Sequence, residues 1–584
     1  MKKNILTVLA GILLASAVQG QDKPTAAMYE QASETSGLVV QYTNDARAVN
    51  YFYGATAGGY RSLANSPDQR DRMMALNREY LQKLANTEYN TISVDGQVDY
   101  ILLKRKIEET QNVLTKEAAL YKEIEKYLSF APTLFNYEKL RRRGATMNGQ
   151  EVAAQFNQVS KDLEKVKAEV AAGGKIAEAK ANFTADMIAS LKGRLKNFYD
   201  FYNGYDPLFT WWVPTTYKKL DEQLTEYEKL IRSKSDAKPS DDGSGIGGLP
   251  IGREELNRQL KVEMVAYTPE ELIRLADQEF AWCEAEIIKA SREMGFGDNW
   301  KAAQEKVKNS YVPAGTQPEL IIKLYNDAQE FIKAHQLINI PPIADETWGM
   351  QMMSPERQLV SPFFLGGRDI LISYPTNTME HEHKMMSMRG NNPYFSRGTV
   401  QHELVPGHHL QFYMNSRYRP YRREAFSTPF STEGWTLYWE LLLYEKGFAK
   451  TPEERIGMLF WRMHRCARIT FSLKYHLGEW TPQQCVDYLV DRVGHEYSNA
   501  HAEVKRSFEG GYPPLYQLAY LVGGLQLFSI KNEFVESGKM SFADFHDKVI
   551  KLNHMPMEMI RASLLNKPIP KDYTPNWKFY TFKK

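Results

Sequence analysis

Cysteine is scarce in this chain, with three in 584 residues. Cys283, Cys466 and Cys485 are too few and too scattered for a disulfide scaffold, and an odd number leaves one thiol unpaired within the chain. Cys466 and Cys485 could pair, but their spacing alone does not decide it. No Cys-x-x-Cys occurs, so a thiolate zinc site is unsupported. Excess charge is also missing: 73 Lys and Arg stand against 71 Asp and Glu, a net charge of +2. That balance argues against nucleic acid or an anionic membrane as a bulk electrostatic partner. The basic run Lys139-Leu140-Arg141-Arg142-Arg143 reads as a solvated helix end. Nowhere does the chain offer the ~20 consecutive apolar residues that span a bilayer. There is no internal repeat of fixed period, and strand signals are sparse.

What is present begins with an address. Lys2 and Lys3 precede an apolar run from Ile5 to Val18, and small Gly20 precedes polar Gln21-Asp22. The order reads as a secretory signal over residues 1–20, removed on export to leave a periplasmic or secreted protein. No cysteine follows the cleavage point, which argues against lipid attachment there. The rest is 43% hydrophobic and 12% aromatic, enough apolar surface to fold. Residues 21–237 carry long amphipathic helical patterns, among them Tyr100 to Leu128, Val159 to Val170 and Met187 to Tyr202. Residues 238–252, rich in Gly, Ser and Asp, read as a linker or loop. Residues 253–584 form a second region, in which Thr268 is a helix N-cap with Pro269 in the first turn. The clearest strand is Asp369 to Tyr374, preceded by Gly366-Gly367 and stopped by Pro375. The fold class is mainly α with a small sheet.

Histidines point to the chemistry. Of 12, only His335 lies before position 381. One stretch joins three of them to a carboxylate: Gln401-His402-Glu403-Leu404-Val405-Pro406-Gly407-His408-His409. It begins as the zinc-binding HExxH pattern begins, in which two histidines four apart hold the metal and the Glu polarises a water on it. Here the fourth residue on is Pro406, which has no ligating side chain. His408 lies about 240° around an ideal helix, so it reaches the metal only if Pro406-Gly407 interrupts the helix. His408 is the first choice for second ligand and His409 the alternate. Glu433, in Thr432-Glu433-Gly434-Trp435, supplies the third ligand, giving one Zn2+ per chain in the open three-ligand form that catalytic sites use. Glu403 is then the general base. His381 and His383, flanking Glu382, read as surface or lining residues. Tyr512, Tyr516 and Tyr520 are candidates to hydrogen-bond an oxyanion, and Arg506 to pair with a substrate carboxylate or in a structural salt bridge.

The segments HELVPGHHLQ and STEGWTLYWE resemble those of the bacterial family known as domain of unknown function 885. The resemblance extends to Pro250–Leu256, Tyr267–Leu272, Arg465-Cys466-Ala467-Arg468, His476 and Trp480, and more loosely to Glu503–Arg506 and Pro514–Tyr520. It implies a zincin-like helical body around a cleft, related to metallopeptidases whose third zinc ligand is a glutamate. It singles out Tyr520 as a catalytic residue beside Glu403, and Arg506 as a further polar position. The expectation is an exported zinc hydrolase cleaving short peptides, with the 369–374 strand pairing with the substrate backbone. The competing readings are a non-peptide amide or ester hydrolase, or an exported binding protein without catalysis.

Overall fold

The amphipathic stripes become helices in the computed structural model, which describes residues 32–53, 66–237, 242–358, 363–509 and 512–582. The leader over 1–20 and part of the 238–252 stretch lie outside the described residues. Helices α1 (Ser36–Phe52), α2 (Pro67–Ala85) and α3 (Val94–Ile124) come first. Ser66 and Ser93 start the latter two, each hydroxyl accepting from the backbone N–H three residues on. Their apolar faces do not close on one another alone. Val39, Leu76 and Leu103 share one core with Trp439, Phe545 and Ile560 from the other end of the chain. Arg422 is buried in the seam, donating to Asp99 Oδ1 at 2.8 Å and Asp95 Oδ1 at 3.2 Å.

Three further helices, α4 (Gly149–Ala172), α5 (Glu178–Tyr202) and α6 (Pro214–Ser233), pack around Phe156, Phe198 and Tyr227 in a core of their own. The hydrophobic clusters therefore change hands within α3, between Leu114 and Ile124. The stretch 242–251 is a loop without helix or strand. It is tied to the C-terminal region, where Asp242 Oδ2 accepts from the Gln483 N–H at 2.7 Å.

Beyond the loop, α7 (Pro269–Glu293) opens with the expected cap, a reciprocal Thr268–Glu271 box. A two-stranded parallel sheet follows, β1 (Gly349–Met352) beside β2 (Asp369–Ile372), with Gly349 opposite Asp369 and Met352 opposite Ile372. β2 is the expected strand, ending two residues early. Its second edge is also occupied, because Leu371 and Leu365 exchange backbone hydrogen bonds of 3.1 and 2.7 Å. The chain then runs through α8 (Pro393–Glu403), α9 (His408–Asn415), α10 (Pro429–Glu445), α11 (Pro452–His476), α12 (Tyr497–Phe508), α13 (Tyr516–Lys531) and α14 (Phe542–Leu552). The architecture is mainly α, with this one small sheet among the described residues. None of the described helices is long and apolar enough to cross a membrane.

Close packing fixes the C-terminal helices against one another. α10 and α13 touch backbone to backbone at Gly434 and Gly523, where a Cβ on Gly434 would stand 2.7 Å from the Gly523 main chain. α7 and α11 build a second core that contains Cys283 and Cys466. All three thiols are free and buried. Cys466 neighbours Cys283, whereas the Cys485 thiol points to the Phe471 carbonyl at 3.7 Å.

Candidate metal centre

The centre is built where α8 stops. Pro406 has no N–H to continue a helix, and the chain folds back so tightly that a Cβ on Gly407 would lie 1.8 Å from the His402 carbonyl oxygen. A new helix, α9, begins at His408. The i+6 spacing is therefore spread over two helices, and the angle of a continuous helix does not apply. The imidazoles of His402 and His408 meet edge to face with centroids 5.1 Å apart. His409 is turned elsewhere, its two ring nitrogens each 2.9 Å from a backbone carbonyl, of Arg368 and Ala344.

Glu433 arrives from the first turns of α10. One oxygen, Oε2, lies 3.3 Å from His408 Nε2 and 3.6 Å from His402 Nε2. It has no hydrogen-bond donor although it is buried, and neither has His408 Nδ1 a partner. The other oxygen, Oε1, accepts from the Tyr516 hydroxyl at 2.5 Å. Glu440, two turns further along α10, accepts from His402 Nδ1–H at 2.6 Å and so turns Nε2 towards Glu433 and the Thr436 hydroxyl, the latter 3.1 Å away. Glu403 completes the cluster, with one ligand atom each from His402, Glu403 and His408 mutually within 4.8 Å. Its carboxylate rests on Gly366, where a Cβ would come within 2.0 Å of Oε2.

The electrostatics follow from this crowding. Burial alone would push the His402 imidazole down, but Glu433 and Glu440 outweigh it and hold it up at about 9. Burial would likewise raise Glu433, yet the two imidazoles hold its carboxyl well below the usual range. For Glu403 burial prevails and the carboxyl is raised. Two imidazole nitrogens around a carboxylate oxygen that no donor satisfies form an arrangement suited to a cation.

Tyr520 lies against His402, the rings 6.2 Å apart and 18° from parallel. The phenol that touches Glu433 is Tyr516, one turn earlier on α13. Arg506 is paired with Glu503 on the same helix. His476 packs against Phe508 with both ring nitrogens unpartnered, and burial lowers its imidazole to about 4. His381, exposed, and His383, partly accessible, open the helix His381–Gly390 outside the metal-capable cluster. Sequence reasoning misses the roles of Glu440 and Gly366, and it offers Tyr516 for an oxyanion rather than for Glu433. Glu440 alone had a signal there, since it lies seven residues beyond Glu433 on the same helix face.

The family model described as "Bacterial protein of unknown function (DUF885)" matches residues 54–564. Among solved structures, the chain is similar to one described as "a putative lipoprotein of unknown function from Shewanella oneidensis". The two share 14% identity over 91% of this chain and 100% of that one, with a TM-score of 0.66. It is also similar to "the putative lipoprotein from Colwellia psychrerythraea", at 15% identity over 91% and 98% of the respective chains, with a TM-score of 0.57. At these identities the likeness is one of fold. No curated protein matches the sequence.

Proposed function

Since the chain belongs to the DUF885 family of bacterial proteins of unknown function, whose membership fixes no reaction, we propose from the site itself that it is a zinc-dependent hydrolase of short peptides. The observation that carries this reading is the single orphaned oxygen of Glu433 facing two imidazole nitrogens at 3.3 and 3.6 Å, all three side chains buried. The residues fit zinc: two imidazoles, which give up their Nε2 protons when they take a metal, and one carboxylate are a catalytic ligand set, and Glu440 orients His402 as metal-bound histidines require. Zinc held by His402, His408 and Glu433 would supply Lewis acidity to the substrate carbonyl and acidify a water.

The remaining work falls to the chain. Glu403, raised by burial, is suited to take a proton from the attacking water and return it to the leaving amine. Tyr516 steadies Glu433 through its hydroxyl. Tyr520, against His402 and without a hydrogen bond among the described residues, is the phenol placed to donate to a developing oxyanion. Pairing of a substrate with β2 is restricted, because β1 lines one edge and Leu365 already bonds Leu371 on the other. The backbone beside the base is instead that of Gly366, next to Leu365, whose missing side chain leaves the room that the Glu403 carboxylate occupies. The leader read in residues 1–20 and the lipoprotein descriptions of the structural neighbours support action outside the cytoplasm.

Metal analysis of the purified protein should find one zinc per chain, lost in His402→Ala and in Glu433→Ala. Chelator-sensitive cleavage of a mixed peptide library should fall by orders of magnitude in Glu403→Gln while zinc stays bound. Full zinc occupancy in both ligand variants would overturn the assignment. An ester panel run in parallel separates a peptidase from an acyl-ester hydrolase.

A further inference from the structure

Next to the metal centre lies a group of arginines whose positive charge the protein does not fully answer. Arg465 and Arg468, on α11, place their guanidiniums 4.6 and 4.5 Å from the centre of the Tyr520 ring. Both are almost wholly buried, at 5% and 3% exposure. Arg468 spends its Nε on Glu503 Oε1 at 2.7 Å, yet its Nη1 has no partner. Arg465 has an unpartnered Nε, and its nearest carboxylate, Glu440, stands 3.6 Å away and is already bonded to His402. Arg506 shares Glu503 as well. Three guanidiniums thus share two paired carboxylates, each of which already serves another cation, and beyond these the buried Glu403 lies close enough to Arg465 to feel its charge. An arginine cannot shed its proton, so buried donors left unused in this way favour an anion that fits their planar fork.

We propose that Arg465 and Arg468, on either side of Tyr520, bind the free α-carboxylate of the peptide substrate, so that cleavage is confined to the C-terminal end of short peptides. This rests on the hydrolase reading above and names its substrate class. The Tyr520 ring is 6.2 Å from the His402 imidazole and 4.5 Å from Arg468, and an extended chain advances ~3.5 Å per residue. The cleaved bond therefore falls within about three residues of the carboxyl end. Arg506, held by Glu503, keeps that carboxylate from neutralising Arg468 alone and is a positioning residue.

The test is binding first and turnover second. Isothermal titration of the chelator-treated full chain compares an N-acetylated dipeptide with its C-terminal amide, and a third peptide that carries an acidic side chain but an amidated end. The free acid should bind at least ten-fold more tightly than either amide. Arg468→Gln should erase that preference, and Arg468→Lys, which keeps the charge but loses the fork, should restore only part of it. Mass spectrometry of the zinc-loaded enzyme should then show one to three residues released from free-acid peptides, and the same peptides amidated should be poor substrates. Equal affinity for acid and amide would overturn the proposal even if zinc binds and peptides are cut. Tight binding of the acid without any cleavage would uphold the subsite and overturn the hydrolase reading. Preference for the acidic side chain over the free end would assign the arginines to an internal residue and refute the terminal specificity.

Discussion

Replacing Gly434 by alanine drives a methyl group into a close backbone contact between the two helices that carry Glu433 and Tyr516. The new Cβ would stand 2.7 Å from the Gly523 main chain, where carbon atoms prefer about 3.5–4.0 Å. Relief requires α10 and α13 to part by about 1 Å, at an overpacking cost of about 1–3 kcal/mol. Glu433 is the neighbouring residue on α10, and Tyr516, which bonds its Oε1, rides on α13. A shift of that size is several times the ~0.2 Å tolerance of a zinc–ligand distance. Zinc affinity should therefore fall about 10–100-fold, as when the support of a ligand is lost. The assay is competition for zinc with a chromophoric chelator, alongside urea melts of both proteins with zinc removed. Gly193→Ala is the control: that glycine lies within α5 with nothing near its would-be Cβ, and it should gain up to ~1 kcal/mol or be neutral. A Gly434→Ala protein that melts and binds zinc like the parent would refute the claim that this contact sets the position of Glu433.

Other outcomes depend on the same geometry. His409→Ala should keep its zinc and His408→Ala should lose it, as metal content after dialysis will report. Gly366→Ala should leave zinc in place yet cut turnover strongly, because the methyl group takes the space of the Glu403 carboxylate; wild-type kcat would refute this. His546 donates from Nδ1 to the Leu337 carbonyl and accepts from the Tyr438 hydroxyl, both at 2.6 Å, and burial lowers its imidazole to about 3. The unfolded chain takes up that proton near pH 6.5 and the folded one only near 3. Stability is thus fully present above about 6.5 and falls by about 1.4 kcal/mol per pH unit from this residue as the pH drops towards 3. His546→Asn should flatten the acid limb of a urea-midpoint profile, and an unchanged slope would exclude His546 as its source.

The sequence carries the candidate metal motif openly, because His402, Glu403 and His408 are neighbours along the chain and Pro406-Gly407 announces a break. It does not separate His408 from His409, since helical periodicity loses its meaning once the helix ends, and what turns His409 away is a pair of distant carbonyls, of Ala344 in the short helix Pro342–Glu346 and of Arg368 in a loop. Glu433 is legible from its motif, but its bond to Tyr516 depends on how α10 lies on α13, which no local pattern encodes. β1 escapes notice because Gly-Met-Gln-Met has neither β-branched nor aromatic residues. The loop at 242–251 shows in its composition. The continuity of α1–α3 with the C-terminal core does not, because an apolar stripe looks the same whichever partner covers it.

That continuity sets the order in which the molecule can be made. The Tyr89 hydroxyl donates to the Ile569 carbonyl, and the Ile569 N–H donates to Gln97 Oε1, contacts that join residues 480 and 472 positions apart. The chain meets the entropy of closing a loop of that span before these bonds repay it, which slows folding. Until the last helices are available, α1–α3 hold an apolar face with nothing to cover it, so a nascent chain is most vulnerable to aggregation and proteolysis during the whole of its elongation. The bundle around Phe156 and Phe198, closed on its own residues, is the part able to fold while the ends are still apart.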